Sequence, residues 1–439
     1  MSSLNKKVAS PRVSNEAGLQ VKKISPENTL MRMALANMLF ENQFYVDGQT
    51  SADVMAKAVK ESDPVFAMSL AKTARKQYKL RHVPLLIVRE LLRTGTAKAD
   101  DIAEVIQRPD EMGELLALYN KDGKQPLTHQ LKKGLGKAFV KFNEYSLAKN
   151  DKNSAAYSVR DVMFMVRPKP QNEDQEALFK RIANKEMVTP DTWETELSAG
   201  ADKKVTFERL MAEKKLGALA FIRNLRNMLG AGVSEAAIRE YSTSVDVTNV
   251  LPFRFIAAAR IVPALEDMLE AMMFRACEGM EKIKGSTDVV VDVSGSMFGT
   301  KVSAKSDLDR FDAAAALAVL TRELCEDANF YTFSYGLVRV PARRGFALVE
   351  ALYNSQSHGG TDLGNSLAQL KHKNTGYPRD RTIVITDEQS ITRPSSPEGK
   401  GYILNVGSYQ NGINHDKWTT ITGFSEAVFE YIKQIEKVA

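Results

Sequence analysis

Cysteine is nearly missing from this chain: only Cys277 and Cys325 occur in 439 residues. That scarcity excludes a disulfide framework and a multi-thiolate metal centre. Histidine is scarce too. His82, His129, His358, His372 and His415 are scattered, with no Cys or Ser neighbour to suggest a catalytic triad. Neither a G-x-x-x-x-G-K-[ST] phosphate loop nor an H-E-x-x-H pair is present. No stretch approaches the roughly 20 apolar residues of a membrane span. The opening Met1-Ser-Ser-Leu-Asn-Lys-Lys-Val8 lacks the apolar core of a signal peptide. These absences lead us to expect a cytoplasmic protein that touches no membrane and is not an enzyme.

What is present is ordinary in composition and uneven in arrangement. Hydrophobic residues make up 44% and charged residues 26%, as in soluble globular proteins, and 439 residues are too many for one core. A multidomain chain is expected. The first 20 residues, rich in Ser and Lys with few apolar anchors, are expected to be a flexible segment. Residues 21–284 carry helical periodicity nearly throughout. Runs over Asn28–Phe40, Pro84–Arg93, Asp101–Ile106, Leu127–Asn143, Val159–Met165, Glu173–Asn184, Thr206–Leu229 and Pro252–Arg260 read as short helices, with one more beginning near Ser62. Helices this short must pack on neighbours to be stable, which fits an α-solenoid of helix pairs or an irregular bundle. Residues 285–439 instead alternate strand and helix. Strands are predicted at Asp288–Val293, Asn329–Phe333, Leu337–Val340, Thr382–Thr386 and Tyr402–Val406. Helices are predicted at Arg310–Leu324, Phe346–Tyr353, Leu363–His372 and Glu426–Lys437. That alternation implies a doubly wound α/β domain with ligands at the carboxyl ends of its strands.

Asp288-Val-Val-Val-Asp-Val-Ser-Gly-Ser-Met297 is the most specific stretch. Its valines suit a strand covered on both faces, and it gives way to Asp292, Ser294 and Ser296 at alternating positions. Hard oxygen ligands in a tight loop suit a small hard cation, Mg²⁺ above all. Gly359-Gly-Thr-Asp-Leu-Gly364 adds Thr361 on a loop before a helix, and Thr382-Ile-Val-Ile-Thr-Asp387 adds Asp387 at a second strand end. The competing account is a capped strand-to-helix turn whose hydroxyls merely satisfy backbone donors. The order Asp-x-Ser-x-Ser, then Thr, then Asp resembles the metal-ion-dependent adhesion site of von Willebrand factor A domains. Haloacid-dehalogenase chemistry would need a second Asp where Ser294 stands. His358 beside the metal loop reads as a solvent-facing loop residue. With no nucleophile or base, the edge reads as a docking point whose open position accepts an Asp or Glu from a partner, or a small anion.

Charge separates the two parts. From Gly285 onward there are 16 Lys and Arg against 18 Asp and Glu, and before it 44 against 36. The basic residues concentrate between Lys121 and Lys169. Lys132, Lys133, Lys137, Lys141, Lys149, Lys152, Arg160, Arg167 and Lys169 are the candidate RNA-binding residues. Lys133, Lys137 and Lys141 recur every four positions and so share a helix face, while Leu131, Leu135, Phe139 and Phe142 can serve the core. A row of ammonium groups either lines a solvated face or lies along a phosphate backbone.

Leu131-Lys-Lys-Gly-Leu-Gly-Lys-Ala-Phe139, Tyr157-Ser-Val-Arg-Asp-Val-Met-Phe-Met-Val-Arg-Pro-Lys-Pro170, Leu219-Ala-Phe-Ile-Arg-Asn-Leu-Arg-Asn-Met228 and Leu251-Pro-Phe-Arg-Phe-Ile-Ala-Ala-Ala-Arg260 resemble a TROVE domain. Leu404-Asn-Val-Gly-Ser-Tyr-Gln-Asn-Gly412 and Trp418-Thr-Thr-Ile-Thr-Gly-Phe-Ser425 are similar to the closing strand and last helix of the Ro family of RNA-binding proteins. The resemblance covers nearly the whole chain and suggests a bacterial or phage member. It implies an all-α, HEAT-like helical-repeat ring over 21–284, followed by a von Willebrand A-like α/β domain over 285–439. It further implies a noncoding-RNA-binding ribonucleoprotein scaffold for Y-like small RNAs and for misfolded or single-stranded RNA ends, serving RNA quality control or processing. An exoribonuclease partner and a monomeric state follow from the same resemblance. Relatives often carry an RNA-binding histidine in the segment matching Ser158-Val-Arg160; Val159 stands there in this chain while Arg160 and the lysines remain, so RNA affinity carries over and Y-RNA selectivity is left open. The alternative of a different class is a metal-dependent protein–protein interaction module acting through the A domain.

Overall fold

A computed structural model of the protein describes residues 13–14, 20–21, 25–36, 48–151, 155–248, 250–301, 308–387, 390, 392, 394–406, 417–422 and 428–438. Apart from the two-residue pair β1 (Val13–Ser14) and β2 (Gln20–Val21), the N-terminal segment lies outside these residues, as does Lys152. Packing divides the chain into two compact units. One comprises 26–34 and 52–245, the other 1–25, 35–51 and 246–439. No helix among the described residues is long and apolar enough to cross a membrane.

The first unit is helical. Its chain order is α1 (Pro26–Ala36), α2 (Gly48–Glu61), α3 (Pro64–Lys76), α4 (His82–Arg93), α5 (Ala99–Val105), α6 (Pro109–Tyr119) and α7 (His129–Phe139). Then follow α8 (Glu144–Asn150), α9 (Val159–Val166), α10 (Glu173–Asn184), α11 (Trp193–Ser198), α12 (Lys203–Ala212), α13 (Ala218–Gly230) and α14 (Glu235–Ser244). The starts are written in capping residues. Asp63 accepts from the amides of Val65 and Phe66 ahead of Pro64, and Ser158 and Asp161 close a reciprocal capping box. One expected helix is in fact two. Between α12 and α13 Lys214 adopts φ +55°, and Lys215 N returns to Leu210 O at 2.8 Å, a left-handed stop that ends the run predicted as Thr206–Leu229. The predicted run Asn28–Phe40 begins earlier, at Pro26, and its residues after 36 lie outside the described set.

Two glycines let helices touch. A Cβ on Gly134 of α7 would sit 2.9 Å from Ala99 O, so α5 and α7 pack backbone to backbone. A Cβ on Gly113 of α6 would sit 2.7 Å from Tyr157 O. These contacts set the depth at which the basic segment 129–169 lies on its neighbours.

The second unit holds α15 (Phe253–Ile261), α16 (Glu266–Cys277), β3 (Ile283–Asp292), α17 (Arg310–Leu324), β4 (Cys325–Phe333), β5 (Leu337–Arg339), α18 (Gly345–Tyr353), α19 (Leu363–Lys373), β6 (Arg381–Thr386), β7 (Lys400–Asn405), β8 (Trp418–Thr422) and α20 (Val428–Val438). Helical texture persists to Cys277, yet α15 and α16 pack with the sheet. Arg260 pairs with Asp312 of α17, and Phe346 N donates to Glu270 Oε1 at 2.7 Å. The packing boundary therefore falls after Val245, whereas the change of texture falls near Gly285. The six-stranded sheet runs β5-β4-β3-β6-β7-β8, parallel except for β5. From β3 the chain moves to β4 on one side, then crosses to β6 on the other. That reversal opens a crevice at the carboxyl ends of β3 and β6, where open α/β sheets bind ligands.

Candidate metal centre and nucleic-acid interface

The crevice is where the predicted metal residues meet. Val289, Val290 and Val291 are fully buried in the middle of the sheet and carry the strand directly into Asp292. Asp292 is itself fully buried; its Oδ1 accepts from Ser294 N at 2.9 Å and its Oδ2 from Thr386 Oγ1 at 2.6 Å. The hydroxyls of Ser294 and Ser296 lie 3.3 Å apart. Asp387 follows β6 directly and is also fully buried. Thr361 is buried on a loop tied to the same edge: Gly295 N donates to Gly359 O at 3.0 Å, and Asp362 N to Ser334 O at 2.8 Å. Gly359 N and the Ser334 hydroxyl share a further bond of 2.9 Å.

Burial, and secondarily the charge of Asp387, pushes the Asp292 carboxyl up to about 7. Two adjacent buried carboxylates need a counter-charge, and the groups around them include hard oxygens of the kind that hold a cation. Among the described residues no three His, Cys, Asp or Glu side chains gather into a metal-holding group, so the hydroxyls would complete the set. This donor chemistry fits a divalent hard cation and not a thiolate- or imidazole-bound one.

Three further residues belong to this edge, and no motif in the sequence marks them. Arg310, first residue of α17 and 3% exposed, places Nη1 2.8 Å from Asp387 Oδ2 and 3.4 Å from Ser296 O. Thr386 and Ser334 hold Asp292 and the 359–362 loop. His358, expected to face solvent, is only partly exposed. Its ring lies 4.3 Å from Phe298 and 5.0 Å from Tyr353, and Nδ1 is 3.0 Å from Val293 O. It packs against the 293–298 turn.

The predicted RNA residues separate into two kinds. Lys137 pairs with Asp100. Lys141 is exposed along its stem, but its ammonium donates to Ala103 O and Ile106 O at the C-terminus of α5, where burial lowers its pKa. Both are spent on packing α7 against α5. Lys132, Lys133, Arg167 and Lys169 are exposed and form no ion pair among the described residues. A Cβ on Gly136 would lie 3.9 Å from Pro168 Cα, so the segment bearing Arg167 and Lys169 borders the face of α7 that carries Lys132 and Lys133. Arg160 lies 4.9 Å over the ring of Phe164, which is 51% exposed one turn further along α9. Lys149 lies 5.5 Å over Tyr145, itself 48% exposed.

Known proteins with related sequence or structure bear on both sites. The TROVE domain family matches residues 183–291. Telomerase protein component 1 of Mus musculus is 35% identical over 88 residues, and that of Rattus norvegicus 34% over 88. Each stretch is 19% of this chain, which spans only 3% of the length of those relatives. The crystal structure of the Deinococcus radiodurans RO (RSR) protein superposes with a TM-score of 0.68 at 17% identity, over 94% of this chain and 100% of that one. At that identity the likeness speaks for the fold, and the family match speaks for the sequence. Residues 183–291 thus match the TROVE domain, and the chain as a whole has the fold of the Ro (RSR) protein.

Proposed function

We propose that this protein binds RNA through its helical unit and docks a second ligand, through a divalent cation, at the sheet edge. The observation that carries the RNA reading is the cluster of exposed cations Lys132, Lys133, Arg167 and Lys169 around the Gly136–Pro168 contact, together with the exposed ring of Phe164 under Arg160. Unpaired ammonium and guanidinium groups meet phosphates, and an exposed ring gives an unpaired base a surface to stack on. The RNA favoured by this combination is noncoding RNA with accessible single-stranded stretches, as in misfolded transcripts or frayed ends. RNA quality control or processing is the matching cellular role. No catalytic residue is assigned.

The cation we assign to Asp292, Ser294, Ser296, Thr361 and Asp387 is Mg²⁺. It would supply an open coordination position for a partner's carboxylate, an exoribonuclease being one such partner. The test is co-purification from host cells with and without nuclease, followed by sequencing of cross-linked RNA. A nuclease-sensitive species absorbing in the ultraviolet, enriched in structured noncoding RNA, supports the reading. A protein partner that survives nuclease but leaves with EDTA, with no RNA recovered, would favour instead a metal-dependent protein-interaction module.

A further inference from the structure

Arg310 stands where the cation reading of the sheet edge leaves no role for it. Its neighbours on α17 explain its position but not its charge. Asp309 caps the helix by accepting from Asp312 N at 2.8 Å, and Phe311 packs against Phe298 with ring centroids 4.9 Å apart. Between them, Arg310 turns inward, with its side chain 3% exposed, and meets a carboxylate that is fully buried. Burying a guanidinium is costly unless its partner and hydrogen bonds repay it, and an apolar residue at a helix start would fold at less expense. Among the groups it meets are Asp387 Oδ2 and Ser296 O, both from residues of the predicted metal set.

We propose that Arg310 and a divalent cation are alternative counter-charges for Asp387, so that the edge is held together without metal and takes metal only weakly on its own. This inference rests on reading the edge as a cation site. A fixed positive charge bonded to one oxygen of Asp387 repels a divalent ion brought to the same carboxylate, and in a buried setting that repulsion is little screened. The same charge neutralises Asp387 when no ion is present, so the sheet edge does not depend on metal to fold.

The experiment compares the full chain with Arg310→Gln and Arg310→Lys by Mg²⁺ titration calorimetry, and by thermal unfolding in Mg²⁺ or EDTA. Arg310→Gln is expected to bind Mg²⁺ at least about tenfold more tightly than wild type, and to acquire an unfolding midpoint that depends on Mg²⁺. Wild type should unfold at nearly the same temperature in both buffers, and Arg310→Lys should restore the low affinity. An Arg310→Gln protein obtained only in Mg²⁺ is the extreme form of the expected result. The proposal is overturned if Arg310→Gln is native by circular dichroism yet binds Mg²⁺ no more tightly than wild type. It is equally overturned if the variant cannot fold even in Mg²⁺, since the ion then does not replace the guanidinium. If wild type and variants alike bind no Mg²⁺, the cation reading falls with it; if wild type binds and Arg310→Gln binds no better, only this proposal falls.

Discussion

Replacing Lys132, Lys133, Arg167 and Lys169 together by Gln removes the four exposed cations that border the Gly136–Pro168 contact, without touching a buried group. At about 0.7 per phosphate on a single strand, four lost contacts flatten the log–log salt slope by about 2.8. A fourfold rise in salt should then cost wild type about 50-fold more affinity than it costs the variant. Fluorescence anisotropy with a short labelled single-stranded RNA, repeated over a KCl series, measures both slopes. Lys141→Met is the matched control. Its ammonium bonds two carbonyls at the end of α5, so the loss should lower stability by about 1–3 kcal/mol in urea unfolding. The salt slope should stay where it was. If the quadruple variant keeps the wild-type slope, or if Lys141→Met flattens it just as much, the assignment of the two kinds of lysine is refuted.

The α/β unit offers further tests. Asp292→Ala should abolish the Mg²⁺ heat seen in calorimetry while RNA affinity of the helical unit stays unchanged. Arg381 is 4% exposed, grips both carboxylate oxygens of Glu436 at 2.9 and 2.8 Å, and donates to Thr287 Oγ1 and Lys284 O. Arg381→Met should therefore destabilise the unit by about 3–5 kcal/mol in denaturant unfolding, because it strands a partly buried carboxylate. The same pair sets a pH dependence. Burial pushes Glu436 upward, but the hydrogen bond and charge of Arg381 and the Tyr402 hydroxyl outweigh it, and its pKa ends below the usual 4.5. Its contribution is complete above that value and is lost as pH falls through the folded-state pKa. Urea midpoints should consequently drop more steeply below pH 4.5 in wild type than in Glu436→Gln. Gly345 has φ +55°, and a Cβ there would overlap Glu270 Oε1, so Gly345→Ala should cost at least about 1 kcal/mol in the same assay.

How far the sequence could be read depended on how locally each feature is specified. The strand ending at Asp292 was legible because a run of valines with both faces apolar has few other uses. The pairing of Asp292 with Asp387 followed from the rule that parallel strands deliver their carboxyl ends to one edge, and the structure places Thr386 and Asp292 in hydrogen-bond contact there. The stop at Lys214 was not legible, since no proline marks it and a lysine in the left-handed region leaves no trace in composition. Nor was the grouping of α15 and α16 with the sheet. Helical texture says what an element is, and contacts such as the ion pair of Arg260 with Asp312 and the bond from Phe346 N to Glu270 say which unit it joins.

Charged side chains mark the deeper limit. Helical spacing sets the direction of a Cβ, but a lysine carries its ammonium four methylenes further, far enough to reach a neighbouring helix end. Lys133, Lys137 and Lys141 share a face by their Cβ atoms, and still Lys137 turns to Asp100 and Lys141 to the carbonyls of α5. The exposed patch that remains is assembled from α7 and from the turn after α9, which meet where Gly136 faces Pro168. Arg310 obeys the same reasoning with the opposite outcome. A cation in the first turn of a helix reads as a solvated end, yet its length lets it reach Asp387 inside the fold. In both cases the useful question is which unpaired oxygen lies within reach of the tether. For Lys132, Lys133, Arg167 and Lys169 no such oxygen lies within ion-pairing distance among the described residues, and that is why these four, and not Lys137 and Lys141, are the ones expected to meet RNA.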